Sequence, residues 1–387
     1  MPVTPRERVL RAICHEEPDR VPVLEPYGVL PPTADVVLGR PCVATSGIRA
    51  VKYLAEKGRQ RLRKAVRRDW LELVTKLGFD AGPLASGYHY RPDNQPVLTD
   101  ENTWSIGGSQ FRYVPESGVT LEVDSRIRRG GMPALEEQVE SMEGASDSEI
   151  EEGILEYGID ESLASALRDK DLLLHTGGGT NPTTSSWVAL YLRSFHQRPD
   201  LVRRFLSQQT RRVIITGKVA ADFNCELMFI GGDIAGNDGP MVSPKIYREF
   251  ILPEMRAQAD ALHKHGIFSF ISSDGCLWPI IEDYLVNSHV DGMMEVQVTA
   301  GMDLGQLKER FGGRTCFAGS VDCQYTLTTG TPSDSSEETR RVISTLSPGG
   351  GHLLCSSNSI HAGVRPENYL AMLDEAGKHG KFPGSGG

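Results

Sequence analysis

The chain has 387 residues, 39% of them apolar, and its 41 Lys and Arg against 51 Asp and Glu give a net charge of −10. This balance argues against nucleic acid or an anionic membrane surface as a partner. No apolar stretch approaches the ~20 residues that a membrane-spanning helix needs. The seven cysteines form no CxxC pair and no disulfide framework, which is typical of a reduced compartment.

The first residues predict a helix. Thr4, Pro5 and Glu7 have the spacing of a capping box with proline at the first helical position. A secretion signal would instead begin with a basic segment followed by an apolar one. Together with the cysteine usage, this start predicts a cytoplasmic protein.

Eight short apolar runs, bounded by glycine and polar clusters, predict strands that are buried on both faces. They cover residues 21–24, 77–79, 171–174, 227–230, 267–271, 290–294, 315–318 and 352–354. Stretches of helical length lie between most of them, and eight strand–helix units are what a (β/α)8 TIM barrel requires. We therefore predict a single α/β barrel domain over residues 1–376 and a flexible tail over residues 377–387.

This alternation is lost between residues 88 and 170. Residues 100–104, 111–113 and 118–124 suggest a small β structure, and the acidic stretch 135–167 suggests helices. We predict an insertion between the second and third barrel strands. Insertions of this length commonly form a cover over the mouth of a barrel or an oligomer contact, so a homodimer is an arrangement that the sequence leaves open.

Polar residues follow the predicted strands, and in a parallel barrel the carboxyl ends of all strands open onto one mouth. We predict Asp274 and Glu295 as catalytic residues of this mouth. The predicted substrate-binding residues are Tyr27, His175, Asp233, Gln297, Asp322 and Asn358. Any one of these side chains could merely cap a strand or helix, but their recurrence at strand ends favours an active site.

Four segments resemble the uroporphyrinogen decarboxylase superfamily. They are residues 6–23, residues 231–244, which begin with Gly-Gly-Asp-Ile-Ala, residues 301–319 and residues 347–373. The resemblance spans nearly the whole chain, and it implies a TIM barrel with the site at its mouth. It also implies one of two activities, which are porphyrinogen decarboxylation and methyl transfer to or from corrinoids and thiols.

The decarboxylase branch is disfavoured by the first loop. Members of that branch hold substrate carboxylates with an Arg-x-x-Gly-Arg loop after the first strand, because guanidinium groups pair with carboxylates in a bidentate manner. Here residues 25–32 contain no arginine, and residues 85–87 lack the aspartate that the branch has after its second strand. We therefore expect no turnover of uroporphyrinogen.

The methyltransferase branch implies a zinc ion that activates a thiol, held by His-x-Cys and a later Cys. The matching positions here are Ser272, Asp274 and Asn358, so that ligand set is absent. Asp274 and Glu295, with Cys355, form another candidate set for a divalent metal such as Mg, Mn or weakly bound Zn. The alternative is that Asp274 and Glu295 bind substrate or cap helices without a metal.

We expect a methyltransferase that moves a methyl group between a small methylated substrate and a corrinoid carried by a partner protein. A carboxylate or bound metal near Asp274 and Glu295 would polarise the heteroatom that bears the methyl group. A lyase acting on a small carboxylate and a non-catalytic binding protein on the same barrel are the alternatives.

Overall fold

The computed structural model describes residues 3–85, 87–88, 90–179 and 181–382. The strands are β1 Ala81–Pro83, β2 Val97–Asp100, β3 Thr103–Ile106, β4 Ser109–Tyr113, β5 Thr120–Asp124, β6 Leu173–Gly179, β7 Cys225–Gly231, β8 Ala235–Gly236, β9 Gly239–Pro240, β10 Phe268–Ser272, β11 Gly292–Met294, β12 Cys316–Ala318 and β13 His352–Leu353.

The helices are α1 Pro5–Ile13, α2 Thr33–Leu38, α3 Gly47–Lys57, α4 Arg59–Leu77, α5 Arg126–Gly144, α6 Asp147–Tyr157, α7 Glu161–Arg168, α8 Val188–Gln197, α9 Pro199–Ala221, α10 Pro244–Ile246, α11 Leu252–Lys264, α12 Leu304–Phe311, α13 Thr326–Thr329, α14 Pro332–Leu346 and α15 Pro366–His379. Short 3-10 turns occupy Trp278–Ile280 and Val298–Ala300, and π turns occupy Tyr247–Ile251 and Asp283–Asn287. Within the described ranges, no helix combines the length and the apolar character needed to cross a bilayer.

The central sheet is parallel and curled. Its seven strands follow the order β1-β6-β7-β10-β11-β12-β13. Residues 21–24 lie between the two ends of this sheet: Val23 forms a parallel bridge with Leu354, and the N–H of Asp80 donates to the carbonyl of Val23 at 2.8 Å. This segment closes the barrel, so the predicted (β/α)8 fold is confirmed.

The second strand is displaced from its predicted position. Residues 77–79 contain the last residue of α4, Leu77, and the strand itself is Ala81–Pro83. The third strand runs further than predicted, because residues 175–179 continue β6 and pair with β7. The space beside Gly178 is filled by neighbours, since a Cβ there would meet the Met228 side chain at 2.7 Å. The three glycines at 177–179 therefore belong to strand β6 and do not form a turn.

Helix α1 plugs the bottom of the barrel. Its Val9, Ala12 and Ile13 join the apolar cluster inside the strands, and Arg8 donates to the buried Asp80 carboxylate at 2.6 Å. The predicted cap is confirmed in one half: Thr4 accepts from the N–H of Glu7 at 3.2 Å. The other half of the capping box is missing because the Glu7 carboxylate pairs with Arg11 instead.

Between β1 and β6 the chain forms the antiparallel sheet β2-β3-β4-β5 and helices α5 to α7. This sheet contacts two loops at the mouth of the barrel. The N–H of Ala362 donates to the carbonyl of Ser117 at 2.9 Å, and the N–H of Ser186 donates to the Glu122 carboxylate at 2.9 Å. These contacts place the insertion beside the mouth, and its roles as a cover and as an oligomer contact both stay predictions.

The predicted boundary of the tail is wrong. Gly377 lies within α15, Lys381 forms an antiparallel bridge with Arg20, and the N–H of Phe382 donates to the carbonyl of Asp19 at 3.2 Å. Backbone pairing with residues 19–20 thus extends the folded domain to residue 382. The rest of the predicted tail, residues 383–387, lies outside the described residues.

Candidate active site

Three adjoining cavities occupy the mouth of the barrel. The main cavity has a volume of about 400 Å³ and is lined by Tyr27, Gly177, Asn181, Phe229, Asp233, Ser272, Glu295 and Asn358, among others. The amide cavity, of about 240 Å³, shares Asn358 and Ser359 with it. The aromatic cavity, of about 430 Å³, shares Tyr27, Gly177 and Phe229.

Glu295 follows β11 and points into the main cavity from a left-handed backbone conformation (φ 64°). Its side chain is buried, with 5% of the residue exposed. The Ser272 hydroxyl lies 2.6 Å and the Tyr27 hydroxyl 3.0 Å from its Oε2, each placed to donate to it, and the two hydroxyl oxygens are also in contact with each other. Two strands and the first loop therefore fix one face of this carboxyl.

Burial, with a further contribution from the charges of Asp233 and Asp274, raises the pKa of Glu295 to about 8 against the lowering effect of the Ser272 and Tyr27 hydrogen bonds. A carboxyl in this environment holds its proton at neutral pH. Such a group can donate a proton to a substrate, as catalytic acids do in other enzymes whose carboxyl pKa is raised by burial.

Asp233 lines the main cavity after Gly231 and Gly232. Burial and the charge of Asp274 raise the pKa of Asp233 to about 6, although the backbone N–H of Asp274 opposes this. The glycines allow the turn, since both have positive φ angles, 90° and 128°. The cavity thus holds a second carboxyl that changes charge near neutral pH.

Asp274 lies after β10 in the lining of the amide cavity rather than of the main one. Asn358 donates to its Oδ2 at 3.3 Å, and burial raises the pKa of Asp274. Asn358 lines both cavities. The sequence-predicted Asp233, Asp274, Glu295 and Asn358 are therefore gathered at one mouth, with Asn358 between the two cavities.

Gln297 forms an amide cluster at the rim. Its Oε1 accepts from the N–H of Gly275 at 2.9 Å, and its Nε2 donates to Asn237 at 3.2 Å and to Gln324 at 3.3 Å. It lines the amide cavity. The structure thus places this predicted residue at the mouth, where its amide holds the loop after Asp274.

His175 lies in β6 and lines the aromatic cavity with Tyr27, Trp70, Tyr88 and Phe229. Its ring meets the edge of Phe229 at 5.3 Å between centroids. Burial lowers the pKa of His175 to about 4. The imidazole is therefore neutral at neutral pH and adds a polar but uncharged edge to this cavity.

Asp322 has a different position from the one predicted. Its carboxylate accepts from the backbone N–H groups of Gln324 at 3.2 Å, Tyr325 at 2.7 Å and Thr326 at 3.1 Å. It is absent from the described linings of all three cavities. Its carboxylate caps the turn into α13, which accounts for an aspartate at this strand end without a substrate.

Cys355 does not fit a metal site. It belongs to the apolar cluster inside the barrel, and burial raises the pKa of its thiol well above the ordinary value, which disfavours the thiolate that a metal binds. Among the described residues, no three His, Cys, Asp or Glu side chains are arranged to hold a metal ion. Asp274, Glu295 and Cys355 are therefore not a ligand set, and we assign no step to a metal.

Two polar residues of this region were not among the predicted site residues. Ser272 ends β10 and bonds to Glu295, but a serine at a strand end carries little signal by itself. Glu25 directly follows residues 21–24, so the strand-end rule could have found it. Its buried carboxyl accepts from the N–H and the hydroxyl of Ser356 at 3.0 and 2.9 Å, and burial raises the pKa of Glu25 to about 8.

Comparison with known proteins confirms the resemblance seen in the sequence. Over 152 residues the chain is 26% identical to a uroporphyrinogen decarboxylase of Thioalkalivibrio sulfidiphilus (strain HL-EbGR7), a match that covers 37% of this chain and 40% of that protein. A solved structure of a methyltransferase from Methanosarcina mazei shares the fold, with a TM-score of 0.60, 17% identity and coverage of 97% of this chain and 98% of that chain. The family model for uroporphyrinogen decarboxylase (URO-D) matches residues 176–379. Since this match takes in more than half of the chain and the strands that carry Asp233, Asp274 and Glu295, the protein belongs to the uroporphyrinogen decarboxylase family.

Proposed function

We propose that this protein is a methyltransferase that takes a methyl group from a small methylated substrate, with Glu295 as the proton donor. The observation that carries the proposal is a carboxyl that burial keeps protonated at neutral pH and that faces a cavity of about 400 Å³. The fold shared with a methyltransferase from Methanosarcina mazei supports the same class of reaction.

The heteroatom that bears the methyl group lies beside Glu295. When the carbon–heteroatom bond breaks, its electron pair stays on the heteroatom, which takes the proton of Glu295. Tyr27 and Ser272 then donate hydrogen bonds to the carboxylate that remains. Proton donation of this kind typically accelerates a reaction by about 10² to 10⁴.

The methyl carbon leaves without the bonding pair, so its acceptor must be a two-electron nucleophile. A reduced corrinoid carried by a partner protein supplies such an electron pair when bound. The rim amides of Gln297, Asn237 and Gln324, which bond to one another, support the proposal because they carry donors and acceptors of the kind that the carboxamides at the edge of a corrin ring would pair with.

A lyase acting on a small carboxylate is less well supported. The described lining of the main cavity has no Lys or Arg, so a substrate carboxylate would face Asp233 and Glu295 without a cation to pair with. A protein that only binds its ligand has no need for a carboxyl held protonated at such a position. Methyl transfer uses this feature directly.

The test is methyl transfer from a panel of O-, S- and N-methyl compounds to cob(I)alamin, followed by the loss of the Co(I) absorbance and by mass detection of the demethylated product. We expect Glu295→Gln to lower the rate by about 100-fold, because the amide cannot give up a proton. Glu25→Gln is the matched control, since Glu25 is also buried but does not line the main cavity. Equal loss in both variants, or no transfer by the parent from any donor, contradicts the proposal.

A further inference from the structure

The main cavity has one sign of charge. Its ionisable carboxyls are Asp233 and Glu295, and none of its described lining residues is Lys, Arg or His. Asp274 lies close enough to raise the pKa of both. A bound anion would find only like charge here, whereas a bound cation is compensated by the charge of Asp233 and favours the ionisation of Glu295 on its other side.

The walls of the cavity also suit a cation. Tyr27 and Phe229 line the main cavity and continue into the aromatic cavity, where Trp70 and Tyr88 follow. Aromatic faces attract cations, and quaternary ammonium groups are commonly held by such rings together with carboxylates. The same rings give an apolar space of about 430 Å³ beside the charged one, in which burial keeps His175 neutral.

We infer that the substrate is an N-methylated amine bound as its ammonium ion, with the charged nitrogen between Asp233 and Glu295 and an apolar, preferably aromatic, body among Tyr27, Phe229 and Trp70. This inference rests on the proposed methyl transfer for its chemistry, but its binding claim can be tested without turnover. The negative net charge of the chain, −10, adds a weak long-range attraction for the same class of ligand.

The chemistry balances for such a substrate. A tertiary amine that enters as the free base takes the proton of Glu295, and one that enters as its ammonium ion displaces that proton to solvent, so in both cases an ammonium ion pairs with the Glu295 carboxylate. The N–CH3 bond then breaks, the electron pair returns to nitrogen, and the methyl group is taken up by the electron pair of the reduced corrinoid. The product is a neutral secondary amine, which has lost its attraction to Asp233 and can leave, while Glu295 regains a proton from solvent.

The binding test uses three probes on the full chain. Benzyltrimethylammonium is a permanent cation, neopentylbenzene is its uncharged isostere, and 4-methoxybenzoate is an anion. Titration calorimetry at pH 8 should give a Kd for the cation about tenfold or more below that of the isostere, as expected for a desolvated cation among rings and carboxylates. The anion should not bind. Equal affinity for cation and isostere, or tight binding of the anion, overturns the inference.

Affinity for the cation should also rise with pH between 5.5 and 8.5. The probe has no titratable group, so the change reports the protein, where burial sets the pKa of Asp233 to about 6 and that of Glu295 to about 8. The other titratable groups close to Glu295 are Asp274, Tyr27, Tyr284 and Cys355. Binding should release protons, detected as an enthalpy that depends on the buffer. Affinity that is constant or falls with pH contradicts the inference.

Two variants locate the effect. Asp233→Asn should raise the Kd of the cation about tenfold and leave the Kd of the isostere unchanged, because one charge is lost without a change of shape. Glu226→Gln makes the same charge change at the opposite end of the barrel, where Glu226 pairs with Arg6, and should leave both probes unchanged. If Asp233→Asn binds the cation as tightly as the parent does, the inference is wrong.

These outcomes are separable from those of the proposed function. Binding of the cation with the expected charge and pH dependence, together with no methyl transfer from any donor of the panel, would contradict the methyltransferase proposal alone. Methyl transfer from neutral O-methyl donors, with no preference for ammonium probes, would contradict the present inference alone.

Discussion

Replacing Glu295 by Gln should make the protein more stable at alkaline pH and lower the rate of methyl transfer by about 100-fold. In the folded chain the pKa of Glu295 is raised to about 8, against 4.5 for an ordinary glutamate. Between these two pH values the folded state retains a proton that the unfolded state has lost. The parent therefore loses stability as pH rises from 4.5 to about 8, and the full difference corresponds to about 5 kcal/mol.

The amide that replaces the Glu295 carboxyl does not ionise, so the variant lacks this loss. Its free energy of unfolding relative to the parent should increase between pH 5 and pH 8.5 by several kcal/mol, with ~5 kcal/mol as the upper limit. Urea unfolding followed by circular dichroism at both pH values measures the change. Glu25→Gln should show the same trend, because burial also raises the pKa of Glu25 to about 8, yet it should keep methyl transfer. A stability difference that is constant with pH, or that shrinks as pH rises, would refute the reasoning.

Tyr27→Phe should slow methyl transfer about tenfold and move the alkaline limit of activity to higher pH, since the Tyr27 hydrogen bond lowers the pKa of Glu295; a pH–rate profile tests this. Asp322→Ala should lower the free energy of unfolding by about 1 to 2 kcal/mol while transfer persists at low temperature, because the Asp322 carboxylate holds three backbone N–H groups. Gly275→Ala should lower the melting temperature sharply, since its Cβ would lie 2.7 Å from the carbonyl oxygen of Gly236 at a φ of 86°; an unchanged melting curve would contradict this. Anaerobic incubation with uroporphyrinogen should yield no coproporphyrinogen.

The later barrel strands could be predicted from sequence because each is a short apolar run between glycine or polar residues. Residues 227–230 and 267–271 fall almost entirely within the observed strands β7 and β10. The second strand could not be found in this way, because Ala81–Pro83 has neither β-branched nor aromatic residues. The apolar residues before it, Leu77 and Phe79, belong instead to the end of a helix and the link that follows.

The candidate site could be predicted in part. Since parallel strands all end at one mouth, the strand-end rule brings together Asp233, Asp274, Glu295 and Asn358. The same rule cannot separate a carboxylate that faces a cavity from one that caps a turn, and Asp322 is of the second kind. The rule also does not predict how deeply a side chain is buried. Cys355 lies inside the barrel, where burial disfavours the thiolate.

The closure of the barrel by residues 21–24 has a consequence for how the chain folds. Glu25 and Ser356, which bond across this closure, are 331 positions apart, so the contact must offset a large loop-closure entropy and forms late. During synthesis, residues 21–24 leave the ribosome early. They can contact Asp80 soon afterwards, but their partner on the other side, Leu354, is made only near the end of the chain. The nascent barrel therefore exposes an open strand edge for most of translation, and a chain that stops short of Leu354 leaves that edge available for pairing with other chains.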